Sequence, residues 1–415
     1  MFDLNIEKIF SHNPMSVLNY RKESVNDIET LDYPNMGKLK IEDFIKEEMN
    51  LQNVIISKSY QIPNEMNHLV NEDVSNVVII KDGNIIYENL TDNFQDVYIN
   101  DFNSAFEERP DVILNYFKDE KSKLKQNKLA AFNSAYLNSG ILIQVPNGVS
   151  IAEEIKLFYV QENTDMVHRT VVLADTNSSV KVVEYFINNV VCTANVVTDV
   201  FLKENANVNY FSVDRFCEES RVYSALRGNV EKNASFIITR GVLSEANIIS
   251  DTLINLVGVA ANTEIKTVAI AEQGQKQNIN TATEHLAKMT SSDITNQGVA
   301  VDKAKLVFNN FGKIHNGNSE SKAFQSTRGI ILNKDASISA NPFLLIDEYD
   351  VEAGHGATIG KFDDDSLFYL MSRGLSKADA EKLIVNGFIV PILESIENEF
   401  LKDQFKHIID SKLGD

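Results

Sequence analysis

Asn205-Ala206-Asn207-Val208 and Asn233-Ala234-Ser235-Phe236 lie 28 residues apart, counted from Ala206 to Ala234, and share one texture: small polar residues leading into a β-branched or aromatic one. A further step of 28 reaches Asn262 in Ala261-Asn262-Thr263-Glu264-Ile265. Upstream, Val180 in Ser178-Ser179-Val180 stands 28 before Val208. A polar turn feeding a strand at fixed spacing is the signature of a repeat architecture. In a β-solenoid each coil stacks on the next and buries a continuous apolar interior. At about 4.8 Å per stacked strand, roughly eight coils give a rod about 40 Å long. The spacing fails after about residue 270, and a β-sandwich with irregular turns has a similar texture; the fixed period favours the solenoid.

Working outward, strand-like runs continue from about Leu129 to about residue 350, among them Ile155–Val160, Val180–Phe186 and Glu264–Ile270, with very few prolines. On the N-terminal side, residues 14–31 read as a polar helix, Ile41 to Met49 as a second short one, and 111–125 as a third. Val77–Ile80, Asp82-Gly83 and Ile85–Tyr87 read as a hairpin, because Asp-Gly favours a type I′ turn. On the C-terminal side the pattern turns helical. Asp363-Asp364-Asp365 suits a helix N-terminus, Leu367, Phe368, Leu370 and Met371 are expected on its buried side, and Gly374 is the stop. Ser376-Lys377-Ala378-Asp379 resembles a capping box, followed at helical spacing by Ala380, Leu383, Ile384, Gly387 and Phe388. Pro391 is expected to begin a last helix toward Leu413. The expected partition is an N-terminal mixed, mostly helical domain over 1–128, a β core over 129–355 and a helical domain over 356–415.

Composition narrows the function. The chain has 415 residues, 43% of them hydrophobic, and a formal net charge of -20. So acidic a surface repels phosphate backbones and anionic lipid, which argues against nucleic-acid and membrane partners. Cys192 and Cys217 are the only cysteines. They can form neither a disulfide framework nor, by themselves, a zinc or iron–sulfur site. The opening residues lack the pattern of a signal peptide, and no run approaches the roughly 20 apolar residues of a membrane span. The simplest expectation is a soluble cytoplasmic protein.

The most unusual segment is Asp350-Val-Glu-Ala-Gly-His355-Gly-Ala-Thr-Ile-Gly360-Lys361-Phe362. It fails the P-loop pattern at His355, where glycine is required, and at Phe362, where a hydroxyl is required. Nor does it meet the spacing of a dinucleotide-binding turn. His355, set between two glycines at the junction of strands and helices, reads either as a turn histidine or as a metal ligand, since imidazole suits iron or zinc. Asp347, Glu348, Asp350 and Glu352 read as a solvated acidic face, with a polysaccharide-lyase site as the rival reading. The two cysteines, within apolar runs, read as core residues.

Three stretches together resemble a known family. They are Ala131–Val149, Gly298–Phe308 continuing through Gln325 and Arg328, and Asn341–Gly360 with Leu367–Leu375 and Asn386–Ile392. Over roughly residues 129–395 the chain is similar to the SufB/SufD family, scaffold proteins of iron–sulfur cluster assembly, whereas its first hundred residues show little likeness. The SufB branch usually reads His-Glu-Ala-Thr at the junction; here Gly356 follows His355 and no cysteine comes after Cys217, which favours the SufD branch. Departures from the family pattern are Ala353, where some SufD proteins carry cysteine, and Thr327 and Gly329, where asparagines are common. The resemblance implies a right-handed parallel β-helix flanked by helical domains. It implies a non-enzymatic scaffold that pairs with a SufB-like paralogue and docks a SufC-like ATPase, and it allows a homodimer of the isolated chain. It implies no tightly bound cofactor of the isolated chain, but a transient iron–sulfur cluster shared with the partner, for which His355 is the matching ligand. Leu367, Phe368, Tyr369, Arg373 and Phe388 are the expected docking residues. The other readings are an adaptor without a ligand role and a β-helix lyase.

Overall fold

The coil begins with its turn. The computed structural model describes residues 13–34, 74–118, 127–162, 165–188, 190–361, 364–394 and 399–412, together with Ile6 and Leu51. Asn177, Asn205 and Asn233 all adopt the left-handed conformation, with φ of 56, 60 and 54°, which asparagine tolerates better than most residues. Each donates its backbone N–H to a carbonyl of the following coil: Glu204, Lys232 and Val259 respectively, at 2.9–3.0 Å. Their side chains stack as well, Asn205 Nδ2 donating to Asn177 Oδ1 and Asn233 Nδ2 to Asn205 Oδ1. The small residue after each turn asparagine, Ser178, Ala206 and Ala234, is buried inside the rod.

Strands then alternate between two parallel sheets, eight core strands on each side. Register partners show why the 28-residue spacing lapses. Asn207 pairs with Ser235 after 28 residues, Ser235 with Asn262 after 27, Asn262 with Ser291 after 29, and Ser291 with Lys322 after 31. Turn length absorbs the difference, so stacking survives while the sequence period does not. Asn262 is thus the partner of Ser235, one position off the 28-residue count.

The hairpin forms as expected. Val77–Lys81 pairs antiparallel with Asn84–Asn89, and Asp82 and Gly83 both have positive φ, as a type I′ turn requires. Val77–Lys81 also pairs parallel with Ser150–Val160, so the hairpin extends one sheet; Tyr98–Asp101 extends the other. The predicted polar helix is α1 (Met15–Thr30). It is followed by α2 (Phe102–Glu108), α3 (Pro110–Lys118) and α4 (Lys128–Tyr136). The predicted helix at Ile41–Met49 and residues 119–125 fall outside the described residues. Helix α4 covers one sheet face through Phe132 and Tyr136, against Val167, Val197 and Tyr223. Buried Arg169 ties the helices to that sheet, donating to Asn133 Oδ1, Ser134 Oγ and Tyr116 Oη at 2.9–3.2 Å.

The C-terminal segment differs from expectation in two places. The helices are α5 (Asp364–Ser372), α6 (Lys377–Leu393) and α7 (Glu399–Lys412). Pro391 lies inside the last turn of α6 and does not start a new helix. The proline removes one i→i−4 bond and its ring must clear the carbonyl of Gly387, but only two helical residues follow it, so little of the helix is disturbed. The second difference is burial. Phe368 is 74% exposed, Tyr369 57% and Leu383 53%, and Met371 is also exposed. The residues that α6 and α7 bury are Val385, Ile389, Ile392, Phe405 and Ile409, packed on Phe211, Leu243, Val268 and other outward residues of the larger sheet. Gly374 (φ 98°) ends α5, and Ser376 caps α6, accepting from the Asp379 N–H at 3.1 Å.

Candidate functional site

The last coil, Ser337–Ile346 and Val351–Lys361, leaves both sheets with an edge strand. Among the described residues its backbone N–H and C=O groups on the outer side have no further strand to meet, a template for strand addition unless something covers it. Phe324, Phe343, Leu345 and Ile346 are exposed here, and Tyr349 is 99% exposed.

His355 lies on this edge, in mid-strand. The preceding strand, Ser321–Ile331, alternates strictly. Ser321, Ala323, Gln325, Thr327 and Gly329 are buried, whereas Lys322, Phe324, Ser326 and Arg328 are exposed. Gln325 is the register partner of His355. Paired residues of adjacent parallel strands share a face, so His355 belongs to the inward column. It is nevertheless exposed, because among the described residues no further coil closes the rod above it. Among the described residues its ring makes no hydrogen bond or ion pair. The reading of His355 as a turn histidine therefore does not hold. Its flanking glycines are ordinary outward strand positions: a Cβ at Gly354 would meet only the Phe324 ring, at 3.4 Å, and at Gly356 nothing within 4 Å. Since Gly354, Gly356 and Gly360 all lie in this strand, the segment builds no phosphate loop.

Of the acidic residues nearby, one stabilises turns and another pairs across strands. Glu348 accepts from the backbone N–H of Gly317 and of Tyr349, both at 2.8 Å, and these bonds hold its carboxyl below the usual range. Glu352 pairs with Lys322 at 3.0 Å. No group of three or more potential metal ligands occurs among the described residues.

The second exposed feature is the α5–α6 corner. Arg373 sits over the Tyr369 ring at 5.2 Å and donates to Tyr369 Oη at 3.3 Å. Phe368 projects beside them, and Leu367 is half-buried. A groove of about 540 Å³ runs between the helices, lined by Asp365, Ser366, Tyr369, Leu370, Leu383 and Ile384. Phe388 is set apart from these, half-buried against the rod with the Arg328 guanidinium 5.8 Å from its ring centre.

The cysteines behave as core residues. Cys192 is buried, and burial pushes its thiol up to about 12, far from a reactive thiolate. Cys217 is half-buried beside Ser220.

Three features went unread in the sequence. Gln325 is 4% exposed beneath His355. Glu184 lies inside the rod and accepts hydrogen bonds from Tyr159, Thr170, Thr198 and Tyr210 at 2.5–2.9 Å. Lys412 pairs with Glu272 at 3.1 Å, with its side chain 4% exposed. Strict alternation along Ser321–Ile331 was the signal that could have placed Gln325 inward.

Fold and end face define a β-solenoid with exposed aromatic and apolar side chains at its last coil and on the helical corner that follows. A family model described as "SUF system FeS cluster assembly, SufBD core domain" matches residues 158–388, and one described as "SufBD protein N-terminal region" matches residues 1–157. The chain is similar to the iron–sulfur cluster assembly protein SufD of Bacillus subtilis, with 31% identity across 96% of this chain and 94% of the relative. It is also similar to an iron–sulfur cluster assembly SufBD family protein of Staphylococcus saprophyticus, with 24% identity over 93% and 87%. The chain belongs to the SufB/SufD family of iron–sulfur cluster assembly proteins, on the SufD branch. Family likeness reaches the first residue, further than the motifs alone carried it. Among the described residues, no helix is long and apolar enough to cross a membrane.

Proposed function

We propose that this chain is a scaffold subunit that receives a nascent iron–sulfur cluster at the last coil, shared with a SufB-like paralogue, and docks a SufC-like ATPase on its helical corner. The observation that carries the reading is His355 itself: an exposed imidazole without a partner among the described residues, on an edge strand flanked by exposed apolar side chains. Imidazole can replace thiolate on one iron and makes the cluster more labile. A chain with one buried and one half-buried cysteine cannot hold a cluster alone, so the remaining ligands come from the partner. A set split across an interface suits a scaffold, because separating the subunits releases the cargo. The paralogue covers the two edge strands and the apolar end. Phe368, Tyr369 and Arg373 form the contact for the ATPase, with Leu367 behind them and Phe388 anchoring α6 to the rod.

The experiment is His355→Ala in a complex co-purified with both partners. Expected is unchanged complex yield with iron and acid-labile sulfide per complex strongly reduced. Equal cluster content at equal yield would leave the adaptor reading standing.

A further inference from the structure

Gln325 stands directly beneath His355 in the inward column, and its amide orientation is fixed. Gln325 Nε2 donates to the Phe343 carbonyl on the opposite sheet at 3.1 Å. Only a donor can face a carbonyl, so this bond assigns nitrogen and oxygen. Gly312 makes the room, since a Cβ there would lie 2.9 Å from Gln325 Nε2. The other end of the amide, Oε1, is buried and accepts no hydrogen bond among the described residues. Leaving such a buried acceptor unmet is costly. The next donor along the column is the imidazole of His355, whose ring has no partner of its own among the described residues.

We propose that Gln325 is a positioning residue for His355: its Oε1 accepts the imidazole N–H and so fixes which ring nitrogen keeps its lone pair for iron. The inference rests on the reading of His355 as a cluster ligand. The physical logic is that a neutral imidazole has one donor and one acceptor nitrogen. An acceptor-only partner beneath the ring takes the N–H and directs the free lone pair elsewhere. At the open end, elsewhere is outward, toward the partner subunit. Backbone register already sets the two residues side by side, so forming the bond requires side-chain rotation only. Groups that orient a ligating histidine in this way typically change metal affinity or activity 10–100-fold when removed.

The test separates this inference from the reading beneath it. In the isolated, metal-free chain, nitrogen-15 NMR of labelled histidine reports the neutral tautomer of His355. Wild type should show one tautomer; Gln325→Met and the shorter Gln325→Asn should show a mixture. A mixture in the wild type, or one unchanged tautomer throughout, overturns the proposal. In the co-purified complex, Gln325→Met should lower iron and sulfide about tenfold and add nothing to His355→Ala. Full cluster content in His355→Ala would sink the ligand reading while the tautomer result still judged Gln325. Loss in His355→Ala with full content in Gln325→Met would sink the role of Gln325 alone.

Discussion

Replacing Phe405 by alanine should release the last helix from the rod while leaving the rod intact. Phe405 is fully buried between α7 and the larger sheet, its ring 5.9 Å from that of Phe211 and tilted by 62°. It sits over Gly241 so closely that a Cβ there would lie 2.4 Å from Cε2 of the ring. Truncating a buried phenylalanine costs about 3–5 kcal/mol. Gly241 cannot fill the space left, so the upper half of that range is expected. Among the described side chains, Ile409 and the Lys412–Glu272 pair also hold the helix to the rod, and Asp410 meets Asn386 and Lys382 of α6. A helix of 14 residues is marginal by itself in water. Losing about 4 kcal/mol therefore opens it locally, and at about 1.4 kcal/mol per tenfold the open population rises nearly a thousandfold. Hydrogen exchange reads this directly: amides of Glu399–Lys412 should lose protection by that factor. Amides of Asn207–Phe216 and Asn262–Ala271, deep in the sheet, should keep theirs. Gly241→Val should produce the same pattern by pushing the ring out. Unchanged exchange in both variants would refute the reasoning, since it would mean that this contact does not hold the helix.

Two further predictions concern the rod. Met289, exposed with φ of 60°, occupies the left-handed turn position that asparagine fills in earlier coils; Met289→Gly should stabilise by about 0.5–1 kcal/mol, read as a raised denaturation midpoint with an unchanged slope. His285 and His168 are fully buried and held down to about 4 and about 3. Each therefore contributes stability that is full above the ordinary 6.5 and is lost as pH falls toward those values. Asp214, pushed up to about 6 by burial, works oppositely, its contribution being lost as pH rises through 6. From pH 6 to 4.5 the two histidines withdraw about 4 kcal/mol and Asp214 returns about 2, at about 1.36 kcal/mol per pH unit each. For these three groups the net loss is about 2 kcal/mol. His285→Gln should lower the measured loss by about 2 kcal/mol, and a variant with the wild-type slope would contradict the assignment.

The turn asparagines made the solenoid legible because their conformation is a local demand that few residues meet. Once Ala260, Met289 and Glu320 take over the same position with φ near 60°, stacking bonds supply what the residue itself does not, and the signal vanishes from the sequence. Interior polar residues were illegible for a related reason. Glu184 and Asp214 break the alternation of apolar residues, so a reader assigns them outward. The rod accommodates Glu184 with four hydroxyl donors that arrive from four different strands, a set no local pattern reveals.

At the C-terminal end the difficulty was of another kind. Helical spacing correctly marked Ala380, Leu383, Ile384 and Phe388 as apolar, but α6 is apolar nearly all round, and spacing cannot say which side meets the rod. The rod took Val385, Ile389 and Ile392, which left Leu383 in solvent with Phe368 and Tyr369 beyond it. The apolar area that the rod leaves uncovered, Leu383 with Phe368 and Tyr369, is the surface on which the proposed docking rests. His355 follows the same logic in β form. Strand alternation assigns it to the interior, and its exposure marks an interior that no further coil completes among the described residues.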